Sequence, residues 1–211
     1  MISFLKIATF KTKDDEMSTA LILANVSKHI DLDKTETDFF VSVLEPRRLE
    51  RKNVYLQSGT VCKYSAFVVD GALKSFTVDK DGKEHILSFA IRDWWIADMY
   101  SYISRKPAVL TIESIADSEV ILLSYENQQL LYEKVPKFER FFRILIENSL
   151  VANQERLMDN LSSSAEERYL HFIKKYPAIP SCVPQHSIAS YLGITPEFLS
   201  KIRGRLAKKK A

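Results

Sequence analysis

The sequence predicts an α+β chain: N-terminal helices, an antiparallel β-roll of jelly-roll type, a long helix, and a C-terminal helix-turn-helix. Three observations carry that expectation. Between Leu49 and Tyr125 the apolar residues fall into short runs rich in Val, Ile, Phe, Tyr and Thr, separated by turn residues. After Pro136 the spacing turns helical and stays so to about Leu161. From Gln185 to Leu206 two short amphipathic stretches meet at a glycine.

At 211 residues, 46% hydrophobic and 27% charged, the chain has ample material for a core and an ordinary globular composition. No apolar run approaches the ~18 residues that span a bilayer, and the N-terminal decapeptide lacks the order of a signal peptide. A cytoplasmic location is expected. The charged cluster Lys11 to Glu16 precedes Met17 and a cleaner helical stretch, Ser18 to Ile30, so residues 1–16 read as an extension or an arm. Asp31 to Leu44 reads as a second helix, with Phe39, Phe40, Val43 and Leu44 on its buried side.

The strands of the roll are expected at Val54–Leu56, Phe67–Val69, Leu73–Val78, His85–Phe89, Leu110–Ile115 and Val120–Leu123. Asp70-Gly71 and Asp79–Gly82 are the turn signals between them. Short strands at this spacing suit a small barrel or jelly roll, a shape that often encloses a ligand cavity. A short helix follows at Glu126–Lys134. In the long helix Ile146, Leu150, Leu157 and Leu161 follow coiled-coil spacing, with Asn153 at the intervening core position. A lone Asn in such a seam can fix register and dimer state, so these five residues are the expected homodimer interface. Ser162 to Ser164 reads as a hinge, and Glu166–Tyr176 opens the terminal unit.

In that unit Ile188, Ala189 and Leu192 share one face of a first helix, and Gly193 suits its C-terminus. Thr195 can cap a second helix with Pro196 at its first position. There Phe198, Leu199, Ile202 and Leu206 fall on one face, and Glu197, Ser200, Lys201 and Gly204 on a polar one. Nine Lys/Arg against Glu166, Glu167 and Glu197 give residues 164–211 a net charge of +6. The chain carries +3 overall, so the first 163 residues carry −3. Positive charge is concentrated where a groove-reading helix would meet phosphate, and the expected partner is double-stranded DNA.

This order of parts resembles the CRP/FNR family of bacterial transcription regulators from about Ser18 to Lys208, and most specifically over Ile188–Arg203. The family's recognition helix commonly opens Ser/Thr-Arg-Glu-Thr with a basic residue four positions after the Glu; here Thr195, Pro196, Glu197 and Phe198 stand there, with Lys201 in the basic position. The resemblance implies a winged helix-turn-helix, a homodimer, RNA polymerase as a further partner, and a cyclic-nucleotide-binding-like roll. It also implies that Glu197 accepts from a base amine and that Lys201 meets guanine or phosphate. Ser200 joins these two as a base reader. Gln185, Ser187, Arg203 and Arg205 are the expected positioning contacts, and Thr195 completes the expected DNA-binding set. Pro196 replaces the usual Arg and removes one contact.

The roll departs further from the resemblance. Cyclic-nucleotide binders of the family carry Gly-Glu-Leu, whose Glu holds the ribose, and a later Arg-Ser/Thr that clamps the phosphate. Ala97, Asp98 and Met99 replace the first, and Ala108-Val109 the second. A buried phosphate without its guanidinium loses a bidentate pair, so cyclic AMP is not expected. Trp94, Trp95, Asp98, Tyr100 and Ser101 are the candidates for lining a different effector pocket; packing and interface are the alternative for much of this set. Two cysteines do not suffice for an iron–sulfur cluster, and His85 is the sole histidine of the roll, so no metal or cofactor is expected. Scattered Ser, His and Asp form no catalytic constellation, which argues against an enzyme.

The expected organisation is an extension (1–17), a sensor-like roll (18–135), a long dimerisation helix with hinge (136–163) and a DNA-binding head (164–211). The alternative is a cyclic-nucleotide or other small-molecule-sensing module whose main partner is a protein rather than DNA.

Overall fold

The computed structural model describes residues 13–210, with side chains placed from Met17 to Lys208. The extension expected over residues 1–16 lies largely outside the described residues; Lys13 to Glu16 belong to the first helix. Helices α1 (Lys13–Ser27) and α2 (Lys34–Ser42) lead into eight strands. These are β1 (Glu45–Leu49), β2 (Val54–Leu56), β3 (Tyr64–Asp70), β4 (Ala72–Val78), β5 (Glu84–Ile91), β6 (Trp95–Ile96), β7 (Thr111–Ser114) and β8 (Ser118–Ser124). A short helix, α3 (Met99–Ser104), lies between β6 and β7. Then come α4 (Tyr125–Lys134), the long α5 (Lys137–Ser162), and the C-terminal α6 (Ala165–Lys175), α7 (Ile179–Cys182), α8 (Gln185–Tyr191) and α9 (Pro196–Lys210).

The strands form two antiparallel four-stranded sheets, ordered β1-β8-β3-β6 and β2-β7-β4-β5. All six expected strands are present; β1, β6 and α3 are additional, and each is short or carries no clean alternation. At the β3–β4 hairpin Gly71 has φ +84°, and a Cβ there would fall within 2.7 Å of Ser118 and of the Asp117 carbonyl, so no side chain fits.

Burial follows the two-residue period of the strands. In β8, Val120 and Leu122 turn into the roll to meet Ala66, Val68, Leu73 and Ile112. Ile121 and Leu123 turn the other way, against Ile22, Val26, Phe40, Leu131, Phe138 and Phe141 of the surrounding helices. The opposite sheet has its own outer core: Ala72, Phe76, Ile86, Phe89 and Ile91 pack against Phe172, Ile188, Ala189, Leu192, Leu199 and Ile202 of the C-terminal helices. The head therefore rests on the outer face of β4 and β5.

Two expectations change here. From Ser164 to Lys210 the described residues are helices and connecting turns, with no strand and hence no wing among them. Residues 176–184 carry Pro177, Pro180 and Pro184, which cannot donate to a sheet ladder, and they form the single turn α7 instead. Phe198 lies at the rim of the buried face of α9 and is 43% exposed; Leu199, Ile202 and Leu206 carry the packing without it.

Candidate nucleic-acid interface

The turn between α8 and α9 is built from backbone hydrogen bonds that only one sharp reversal satisfies. Gly193 has φ +69°, its N–H donates to the Ser190 carbonyl (3.1 Å), and the Ile194 N–H reaches back to the Ala189 carbonyl (3.0 Å). This is a Schellman closure, with Gly at the left-handed position and Ile194 packed over the helix it ends. Two residues later Thr195 opens α9: its hydroxyl accepts from the Phe198 N–H at 3.2 Å, and Pro196 sits where no N–H is needed.

Because Leu199 and Ile202 are buried in the head core, the helical period of about 3.6 residues turns Glu197, Ser200, Lys201 and Gly204 outward, where all four are exposed. Lys208 continues that stripe. The Glu197 carboxyl is held below its ordinary range, first by its own backbone N–H and then by the Thr195 hydroxyl; Lys201, one turn on, adds a smaller attraction. Glu197 thus stays an ionised acceptor while stabilising the helix start.

The other expected contacts are distributed less evenly. Thr195 and Arg203 are exposed beside the stripe. Arg205 turns back to pair with Glu166 of α6 at 3.2 Å. Ser187 is 3% exposed and packs inward from α8, because it lies beside Ile188 and Ala189 on the face that meets the core. Gln185 is half-buried, and its side-chain oxygen has no partner among the described residues. Beside the start of α9 lies a cleft of about 720 Å³, bounded by Lys52, Lys83, Glu84 and Glu113 of the roll and by His186 and Thr195–Glu197 of the head. Lys74 at its floor is buried, and its charge is met by Glu84 and, at 3.4 Å, by Glu113.

Comparison with known proteins agrees with this architecture. A cyclic nucleotide-binding domain profile matches residues 46–134. The regulatory protein HlyX of Actinobacillus pleuropneumoniae is 23% identical over 185 residues, covering 82% of this chain and 75% of that protein. The fumarate and nitrate reduction regulatory protein of Vibrio cholerae is 22% identical over 189 residues, with 84% and 75% covered. FixK2 from Bradyrhizobium japonicum superposes with a TM-score of 0.71 at 18% identity, over 80% of this chain and 86% of that one. The c-di-GMP responsive regulator CLP of Xanthomonas campestris gives 0.66 at 14% identity, over 84% and 93%. The chain thus carries a cyclic nucleotide-binding domain and is similar over most of its length to regulatory proteins of the HlyX and fumarate and nitrate reduction type.

The five effector-pocket candidates part company. Trp94 turns toward the head and stacks edge-on against Tyr176, centroids 5.4 Å apart. Trp95, the next residue, turns toward the helices; its Nε1 donates to Asn25 at 3.2 Å, and its ring meets Phe67, Phe141 and Phe142. Tyr100 lies on the exposed side of α3. Ser101 is fully buried, accepting from the Cys62 N–H (2.8 Å) and donating to the Lys106 carbonyl.

Asp98 is the most informative of the five. It is 1% exposed. One carboxylate oxygen accepts from the Ser101 N–H at 3.0 Å, capping α3; the other accepts from the N–H groups of Val109 and Leu110, both at 2.9 Å. The carboxylate ties α3 to the backbone just before β7. The five residues therefore do not share a cavity.

The seam candidates behave differently. Ile146, Leu150, Leu157 and Leu161 are all exposed on α5, Leu161 at 76%, and Asn153 is exposed among them. Val151 and Met158 widen the apolar strip. Sequence reasoning missed one residue of the same helix, Arg156, because nothing local distinguishes it from a solvated charge.

Proposed function

We propose that this protein is a member of the CRP/FNR family: a homodimeric, sequence-specific DNA-binding transcription regulator whose roll does not take cyclic AMP. The observation that carries the reading is the outward stripe of α9, where Glu197, Ser200 and Lys201 stand exposed on a capped helix held by a Schellman turn. A polar helix face backed by a packed core is what the major groove admits. Thr195 and Arg203, flanking it, would meet phosphates and fix orientation.

In this reading residues 18–135 form the sensor-like unit, 136–163 the dimerisation helix and 164–211 the head. The strip on α5 would be covered by the same strip of a second copy, removing a contiguous apolar surface from water and placing two α9 helices on one duplex. Half-sites are then expected one helical turn apart, about 34 Å. Such a regulator works in the cytoplasm with RNA polymerase as its further partner. An effector, if one is used, would act by binding two head arrangements with different affinity. The closed carboxylate at Asp98 disfavours a cyclic phosphate, which would compete for the same N–H groups.

The test is selection of bound sequences from a random duplex library at fixed, near-physiological salt. A recovered palindrome supports the reading; binding that is salt-sensitive but indifferent to sequence, with and without cell extract, would remove it.

A further inference from the structure

Arg156 leaves α5 beside Leu157 of the exposed strip and runs inward between three elements. Its Nη1 donates to the Leu87 carbonyl, and its Nη2 donates to the carbonyls of Ile86 (2.9 Å) and Tyr191 (2.8 Å). The guanidinium lies over the Tyr191 ring, 3.9 Å from its centroid.

Each of those carbonyls is available for a stated reason. Ser75 pairs with Ser88 in the β4–β5 ladder and Phe76 pairs with Ile86, so Leu87 is an extra residue, a bulge that turns its backbone out of register. Tyr191 is the last residue of α8, where carbonyls lack helical partners. One planar guanidinium thus joins two acceptors of the roll to one of the head, from a helix that also carries the expected dimer seam. Neighbouring contacts tighten the joint. The Ser190 hydroxyl donates to the Glu84 carbonyl at 2.7 Å and accepts from the Ile86 N–H, and Asp159 of α5 meets His171 of α6 at 3.0 Å.

We propose that Arg156 is the positioning residue that sets the half-site spacing accepted by the dimer. The path is short: Leu157 lies in the seam, Arg156 grips the end of α8, and the Schellman turn fixes α9 to α8. Tilting α8 on the roll would swing the reading stripe relative to the dimer axis without altering any side chain on it. Spacing would change while base preference stayed. This inference rests on the dimeric DNA-binding reading.

The experiment is a duplex library holding two half-sites separated by variable spacers, offered to the wild type, Arg156→Lys and Arg156→Ala, with thermal melts to confirm folding. The wild type is expected to select one spacing. Arg156→Ala should recover the same half-site sequence over a spread of spacings, with affinity at the wild-type spacing reduced about tenfold. Arg156→Lys, a point charge that cannot span three carbonyls, should fall between, and it carries the test if the alanine variant does not fold. Unchanged spacing at unchanged affinity in the folded variants would overturn the proposal, as would parallel loss of spacing and base preference. Failure of the wild type to select any sequence would instead remove the DNA-binding reading, and this inference with it.

Discussion

Two polar regions of the molecule, the α3 end of the roll and the outward stripe of α9, both place a carboxylate at a helix N-terminus, yet they treat it oppositely. Asp98 is buried, and three N–H groups from two chain segments converge on it. Glu197 is exposed, held by its own helix start and the Thr195 hydroxyl with a smaller attraction from Lys201, and leaves acceptor capacity facing solvent. A carboxylate whose acceptors are consumed inside the fold holds structure together. One with acceptors left over can bind something else. The same logic separates the leucines of α5 that face solvent from the phenylalanines at its start, Phe138, Phe141 and Phe142, which are buried.

Replacing the satisfied group should have the largest effect on the fold. Asp98→Ala would leave the Val109, Leu110 and Ser101 N–H groups without a partner, and a buried orphan donor costs about 1–3 kcal/mol. A loss of about 3 kcal/mol or more in denaturant unfolding is expected, with half-site base preference unchanged in the folded fraction. A stability change under ~1 kcal/mol would mean that the carboxylate is not the anchor described. Next in size is the seam. Leu150→Asp puts a charge in the middle of the exposed strip, and sedimentation should show the dimer giving way to monomer at concentrations where the wild type is dimeric. A dimer of undiminished affinity would place the interface elsewhere.

Much of this contrast was legible in the sequence, though unevenly. The Thr195–Pro196 cap and the Gly193 turn are local chemistry, and the structure realises both. The strand Val54–Leu56 and the helix start after Pro136 were legible for the same reason. Trp94 and Trp95 were not: adjacent residues beside a two-residue strand face opposite sides of the sheet, so their grouping in one pocket could not survive the pleat. The role of Arg156 depends on a bulge almost 70 residues away and on the end of α8, neither of which marks the arginine itself. Ser187 was misplaced because α8 buries the side that its small polar residues share with Ile188.

Smaller effects sharpen the solvent-facing half of the comparison. Glu197→Ala should lower affinity for the cognate site roughly ten- to a hundredfold and relax preference at one base position, measured by titrating matched and substituted duplexes. If preference is unchanged, Glu197 only stabilises its helix. The wild-type carboxyl sits below its ordinary value of 4.5, so its ionised-state contribution is complete above that value and is lost only as pH falls through the lower folded-state pKa. Base preference at that position should therefore be the same at pH 7.5 and pH 5.5. Loss of it by pH 5.5 would contradict the hydrogen bonds that hold Glu197 ionised.

The smallest effect separates two basic residues of one helix. Lys201 stands on the outward stripe, whereas Arg205 is paired with Glu166 across the head. A pair of that kind at the surface contributes about 1 kcal/mol or less to stability. Arg205→Ala should then change DNA affinity by no more than about twofold and leave its salt dependence unaltered. Lys201→Ala should weaken binding and, if its partner is a phosphate, reduce the slope of log affinity against log salt by about 1. Equal losses in the two variants would mean that Arg205 leaves Glu166 when DNA arrives, and the helix would then present a wider basic face than the free protein displays.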